Sequence, residues 1–181
     1  VLAKVITVAG AITSLLDYRR NIFRLDNLVG SLTVGSSTNG ARNRCQFFSL
    51  QAAVEYAGAL GIQSLHITSS VSDVVSTTIS LSNPLRVTCD PGITVALSGT
   101  AVKFTISGGG ALEWIGGDLT ISGADFIVYN GNASSWVLLR DAEITVSNRL
   151  FTNTTSTSDA RGFRVEGCNI DRSAGGLPMV Y

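Results

Sequence analysis

Charge is scarce in this chain. Asp, Glu, Lys and Arg make up 14% of 181 residues, against about a quarter in ordinary domains. Thirteen basic and thirteen acidic residues cancel to a formal net charge of zero. Without a basic stripe there is no electrostatic footprint for nucleic acid or for an anionic membrane surface. No apolar run approaches the ~18 residues that a membrane span requires, so no membrane insertion is expected. A single histidine and three cysteines, Cys45, Cys89 and Cys168, with no CxxC spacing, leave no zinc framework. The cysteines read as free thiols made in a reducing compartment. Phosphate-cradling loops, a nucleophile elbow and HExxH are all missing, so neither metal nor cofactor is expected. The opening Val1-Leu2-Ala3-Lys4 has no signal-peptide pattern.

What fills the deficit is Gly, Ser and Thr, arranged with a period. Val87, Leu112, Val137 and Phe163 are spaced by 25, 25 and 26 residues, and Cys89, Trp114, Leu139 and Val165 follow two positions later. A second strand in each unit opens with Ile93, Leu119, Ile144 and Ile170. A third is read in Val102–Ile106, Phe126–Tyr129 and Leu150–Thr152. Gly-, Asn- and Asp-rich clusters such as Gly116-Gly117-Asp118 separate the strands. A fixed period of this length, with strand-like alternation inside it, predicts stacked repeats that share one core. The expected fold is all-β: a right-handed parallel β-helix, a solenoid with three strands per coil. An antiparallel sandwich also has short, regularly spaced strands, but holds a register across several repeats less readily.

Ahead of the first strand, Leu50, Ala53, Val54, Ala57 and Leu60 fall on one face of a helix. Ser49 stands at its N-cap and Gly61 at its C-terminal stop. Such a helix is expected to close the open N-terminal end of the solenoid. Residues 17–26 concentrate charge (Arg19, Arg20 and Arg24 among Asp17 and Asp26), and Gly30 to Asn43 read as loop or linker. Residues 1–46 are therefore expected to form an extended neck and trimerisation segment. Residues 47–181 are expected to be the N-terminal part of the β-helix. The chain stops at Tyr181, before the next repeat would begin near 188, and is expected to be the first portion of a longer protein.

The order of parts resembles the pectate-lyase-like β-helices, and among them the tailspike proteins of bacteriophages. That order is the capping helix 49–60, the strand Leu65 to Thr68, Ile79-Ser80-Leu81, then Leu85 to Ile93. The likeness is one of layout, over about residues 47–181. It lacks the glycine- and aspartate-rich segment that often precedes the helix in such proteins. It implies a homotrimer in the virion tail, made in the bacterial cytoplasm and acting outside the cell. Its N-terminal side would join a phage tail or baseplate component. The full-length protein would bind, and often degrade, a host surface polysaccharide. The alternatives are a structural trimeric fibre segment or adhesin without catalysis, and a secreted polysaccharide lyase or hydrolase.

Such proteins commonly cleave sugars with paired carboxylates on the flank of the β-helix. Equivalent positions on adjacent coils lie ~4.8 Å apart, close to the ~5 Å carboxyl spacing of a retaining glycosidase. Asp118 and Glu143 are the candidate catalytic pair, with Asn169 next in line. The same slot precedes a strand, where Asp and Asn serve in turns. The fragment alone is expected to be inactive. Glu113 and Arg164 belong to another column, interrupted by Leu138. Tyr129 and Trp136 are the candidate sugar-stacking aromatics. His66 is expected to point outward with no carboxylate partner.

Overall fold

The computed structural model describes residues 3–8, 11–17, 31–36, 45–154 and 162–173. The chain divides into two units, 1–31 and 32–181. The first contains an antiparallel hairpin of β1 (Ala3–Val8) and β2 (Ala11–Asp17) whose register shifts between Ile6 and Thr7. Arg19, Arg20, Arg24 and Asp26, with most of the segment 30–43, lie outside the described residues.

The second unit is an all-β parallel solenoid of about four turns, built from three parallel sheets. The first sheet stacks β3 (Leu32–Val34), β4 (Ser64–Ile67), β7 (Pro84–Cys89), β10 (Ala111–Ile115), β13 (Trp136–Arg140) and β16 (Phe163–Glu166). In the second lie β5 (Val71–Val74), β8 (Thr94–Ser98), β11 (Asp118–Ile121), β14 (Glu143–Val146) and β17 (Asn169–Arg172). The third holds β6 (Ile79–Leu81), β9 (Phe104–Gly108), β12 (Ile127–Gly131) and β15 (Phe151–Asn153). β3 lies inside the segment expected to be neck, yet pairs with β4.

Alternation within each strand sends every second side chain inward, and stacking turns those positions into apolar columns. Leu112, Val137 and Phe163 stack as the spacing predicts, and so do Trp114, Leu139 and Val165. The first repeat is out of step with the prediction. Leu85, not Val87, pairs with Leu112, while Val87 pairs with Trp114 and Cys89 with Ile67. Likewise Val95, not Ile93, pairs with Leu119. The cause is a corner three residues longer. Leu85 to Val95 spans ten positions, whereas Leu112 to Leu119, Val137 to Ile144 and Phe163 to Ile170 each span seven. The extra length falls in the turn around Asp90, Pro91 and Gly92. A slip of two residues preserves which face a side chain takes, so alternation alone could not expose it.

The regular corners share a backbone device. Gly116, Asp141 and Gly167 stack at the end of the first sheet with φ of 77°, 53° and 62°. Left-handed backbone at that point turns the chain into the second sheet, and Asp141 is the one non-glycine among the described residues to adopt it.

The core beneath the third sheet is aromatic. Phe104, Trp114 and Phe126 meet edge to face, with centroids 5.7–6.5 Å apart, and Phe151 stacks on Phe163 at 4.3 Å. Lys103, despite its charge, is fully buried one step above Phe126 and Leu150. Its ammonium donates to the carbonyls of Gly99 (2.6 Å) and Ala101 (3.0 Å), and burial lowers its pKa.

The one helix of the described residues, α1 (Leu50–Leu60), packs against β3, β4, β5 and β6 at the start of the solenoid. Leu50, Ala53, Val54 and Ala57 are buried; Leu60, predicted for the same face, is exposed. The Ser49 hydroxyl accepts from the Ala52 amide and donates to Asp73, whose carboxylate also takes the Gln51 amide. The N-terminus of α1 is thus fastened to β5 by a charge-assisted pair of bonds. Gly61, at φ 69°, ends the helix.

Candidate functional site

The second sheet brings the two candidate acids together in the predicted register. Asp118 on β11 pairs with Glu143 on β14, which pairs in turn with Asn169 on β17. Their amides are used by the ladder: Asp118 N donates to Ile93 O at 2.8 Å and Glu143 N to Gly117 O at 3.1 Å. Both side chains are exposed, and neither makes an ion pair or a side-chain hydrogen bond with any described residue. The local turn bonds that would explain an Asp in this slot are therefore not made by Asp118. Asp125 makes such bonds, accepting from the Arg149 amide and the Thr152 hydroxyl. Asp118 and Glu143 stand on an open face, without an apolar wall to set one carboxyl apart as acid and the other as base.

The outer face of the first sheet carries the electrostatics that sequence spacing did not show. Arg86 contacts Glu113 at 3.2 Å, Arg140 reaches Glu113 at 4.0 Å, and Arg140 pairs with Glu166 at 3.0 and 3.1 Å. Four charges of alternating sign thus run along the stack. Glu113, which spacing assigned to a column broken by Leu138, does face Leu138 and then Arg164 in that column. Its partners come from Arg86 beside it and Arg140 diagonally across. The signal was the spacing 86, 113, 140, 166, in steps of 27, 27 and 26, which the 25-residue period concealed.

The two candidate aromatics part company. Tyr129 is a core residue, 2% exposed, with its ring against Phe151 and its hydroxyl 3.0 Å from the carbonyls of both Asn132 and Ser135. It offers no ring face to a ligand. Trp136 points outward from β13 and is 38% exposed. His66 has the carboxylate partner that its sequence surroundings did not reveal: Nε2 lies 3.1 Å from Asp90, and Nδ1 lies 2.8 Å from the Thr88 hydroxyl. Asp90 comes from the lengthened corner, whose position the fixed period does not give. No group of three or more His, Cys, Asp or Glu side chains among the described residues could hold a metal ion.

None of Cys45, Cys89 and Cys168 is in a disulfide. Burial, helped by the charge of Asp90, pushes the Cys89 thiol up to about 12, which removes it as a nucleophile at neutral pH. Arg172 enters the inward column below Leu97, Ile121 and Val146, and two of its guanidinium nitrogens are buried without a hydrogen-bond partner among the described residues. Asp171, beside it, accepts from the Arg172 amide at 2.7 Å. A pocket of about 150 Å³ between α1 and the β6–β7 turn, lined by Val54, Ile62, Leu81 and Pro84, is small for a ligand site. Compared with known proteins, the chain matches no family model, no curated protein and no solved structure.

Proposed function

We propose that this chain belongs to a trimeric, tailspike-like protein that recognises a bacterial surface polysaccharide. The observation that carries the reading is a parallel solenoid whose first turn is covered by a helix, preceded by a separately packed N-terminal unit. That is the order of parts on which the resemblance to phage tailspikes rests. Three strands per coil, wound right-handed, are the finer form of this proposal; parallel crossover connections in one sheet are right-handed in about 98% of cases. The N-terminal unit would serve as the neck toward a phage tail or baseplate.

A long parallel stack suits a polysaccharide because its outer columns repeat every ~4.8 Å, offering successive sugars a regular surface. A structural fibre segment is the second reading. It is favoured by the exposed, unwalled setting of Asp118 and Glu143 and by an outer face of the third sheet (Ser80, Thr105, Val128, Thr152) that carries no charge.

Binding of the purified protein to capsule and O-antigen from a panel of hosts tests the proposal, with strains lacking those polymers as controls. Polymer-dependent binding supports recognition; no binding to any polymer leaves the fibre reading. Sedimentation equilibrium should give about three times the 19.0 kDa chain mass, and a monomer at all concentrations would remove the trimer.

A further inference from the structure

Beyond the ion-pair ladder, the outer face of the first sheet presents, among the described residues, one partly exposed aromatic and one arginine without an ion pair. Trp136 projects from this face and is 38% exposed, while Trp114, the other tryptophan, is fully buried. Its column neighbour on one side is Ala111, itself fully buried. On the other side stands Gly162, where an added side chain would run into the Trp136 backbone. Among the described residues, Gly162 therefore places no side chain beside the indole.

Arg164 lies two residues past Gly162 on the same face, diagonally across from Trp136, because Leu138 pairs with Arg164. Diagonal neighbours in a sheet are ~7–8 Å apart at Cα, within reach of aromatic and long side chains. Arg164 is exposed and makes no ion pair among the described residues, whereas Arg86 and Arg140 are both tied to glutamates. Among the described residues, three arginines against two glutamates leave this face one positive charge in excess. The acids around Arg164 are already engaged. Glu166, two residues along the same face of β16, is paired with Arg140, and Glu113 is held by two guanidinium groups, so both repel an incoming anion weakly.

We infer that Trp136 and Arg164 form a binding subsite for an acidic sugar, a pyranose ring bearing a carboxylate. The indole takes the C–H face of the ring, Leu138 lies beneath, and the planar guanidinium donates to the carboxylate in a two-pronged contact that a point charge cannot match. The subsite is on a different sheet from Asp118 and Glu143 and needs no catalysis there. It rests on the reading of the chain as a polysaccharide binder and names the class of sugar.

The experiment titrates the protein with a glucuronate-containing oligosaccharide and with the same oligosaccharide after reduction of its carboxyl groups. The readout is the fluorescence of Trp136, with W136F identifying the signal. The acidic form should bind about 10-fold or more tightly than the reduced form, as expected for a charge-assisted contact. Arg164→Gln should erase that preference, Arg164→Lys should keep part of it, and circular dichroism of both variants should match the parent. Equal binding of the two forms, or acidic binding that survives both Trp136→Ala and Arg164→Gln, overturns the subsite. A neutral polymer that binds with no dependence on Trp136 would do the same, yet leave polysaccharide recognition standing. If neither form nor any polymer of the host panel binds, both readings fall together.

Discussion

Neighbouring residues on β13 live under opposite rules. Val137 and Leu139 face inward and are 1% and 0% exposed, while Trp136, Leu138 and Arg140 face outward and are in part solvated. Inward columns hold the coils together by excluding water along the whole stack. Outward columns are free to carry charge, aromatics or nothing, and recognition can be written there at little cost in stability. Chemistry on such a fold is therefore to be sought among outward columns, and folding defects among inward ones.

The contrast breaks most sharply with a charge on each side of one strand. Val137→Asp buries an unpaired carboxylate between Leu112 and Phe163 and should cost more than about 4 kcal/mol. Leu138→Asp, one residue on, faces solvent and should cost less than about 1 kcal/mol. Urea unfolding of both variants measures the gap. A Val137→Asp protein that melts like its parent would mean the inward assignment of β13 is wrong.

Lys103 is the exception that sharpens the rule, because it carries a charge in an inward column. With two carbonyl partners and no carboxylate partner among the described residues, burial lowers its pKa from the usual 10.5. The charged form is thus disfavoured in the folded state relative to the unfolded one. That penalty is present in full below the lowered folded value and is relieved as pH rises from there toward 10.5. Stability of the parent relative to Lys103→Met should therefore increase with pH across that window. Denaturant melts of the pair at several alkaline pH values check the sign, and a difference that falls with pH would contradict it.

How far the sequence reveals this structure follows from the same division. Coils from Leu112 onward are legible because their first corners have constant length, so one period aligns β10, β13 and β16. The first repeat is not, since its longer corner shifts the pairing by two residues without changing any residue's face. The helix 50–60 is legible from Ser49, Gly61 and the apolar spacing, apart from Leu60. Lys103 escapes a reading based on polarity, because its partners are backbone carbonyls that have no sequence signature. On the outside, Asp118 beside Glu143 follows from register alone. The ladder Arg86–Glu113–Arg140–Glu166 does not, as it crosses between columns.

The outward ladder should matter little to folding. Arg140 is 38% and Glu166 45% exposed in their side chains, and exposed pairs contribute about 0.2–1 kcal/mol. A double-mutant cycle of Arg140→Met with Glu166→Gln should give a coupling in that range and lose most of it in high salt. A coupling several times larger would show that this face is desolvated in the assembled protein, as a subunit interface would make it.

The smallest effect belongs to the acid pair. Asp118 and Glu143 are exposed, contribute no side-chain bonds among the described residues, and sit on strands whose amides are already paired. Asp118→Asn combined with Glu143→Gln should change stability by less than about 0.5 kcal/mol. A retaining hydrolase would need more than the right spacing: one carboxyl must stay protonated while the other is ionised, and that calls for unlike surroundings. Here the two share one open column. The chain incubated with host polysaccharides should therefore release no new reducing ends, in the parent or in the double variant. Release by the parent that vanishes in Asp118→Asn and in Glu143→Gln would place a glycosidase on the second sheet. It would also show that a neighbouring copy or a bound sugar supplies the asymmetry that the column itself lacks.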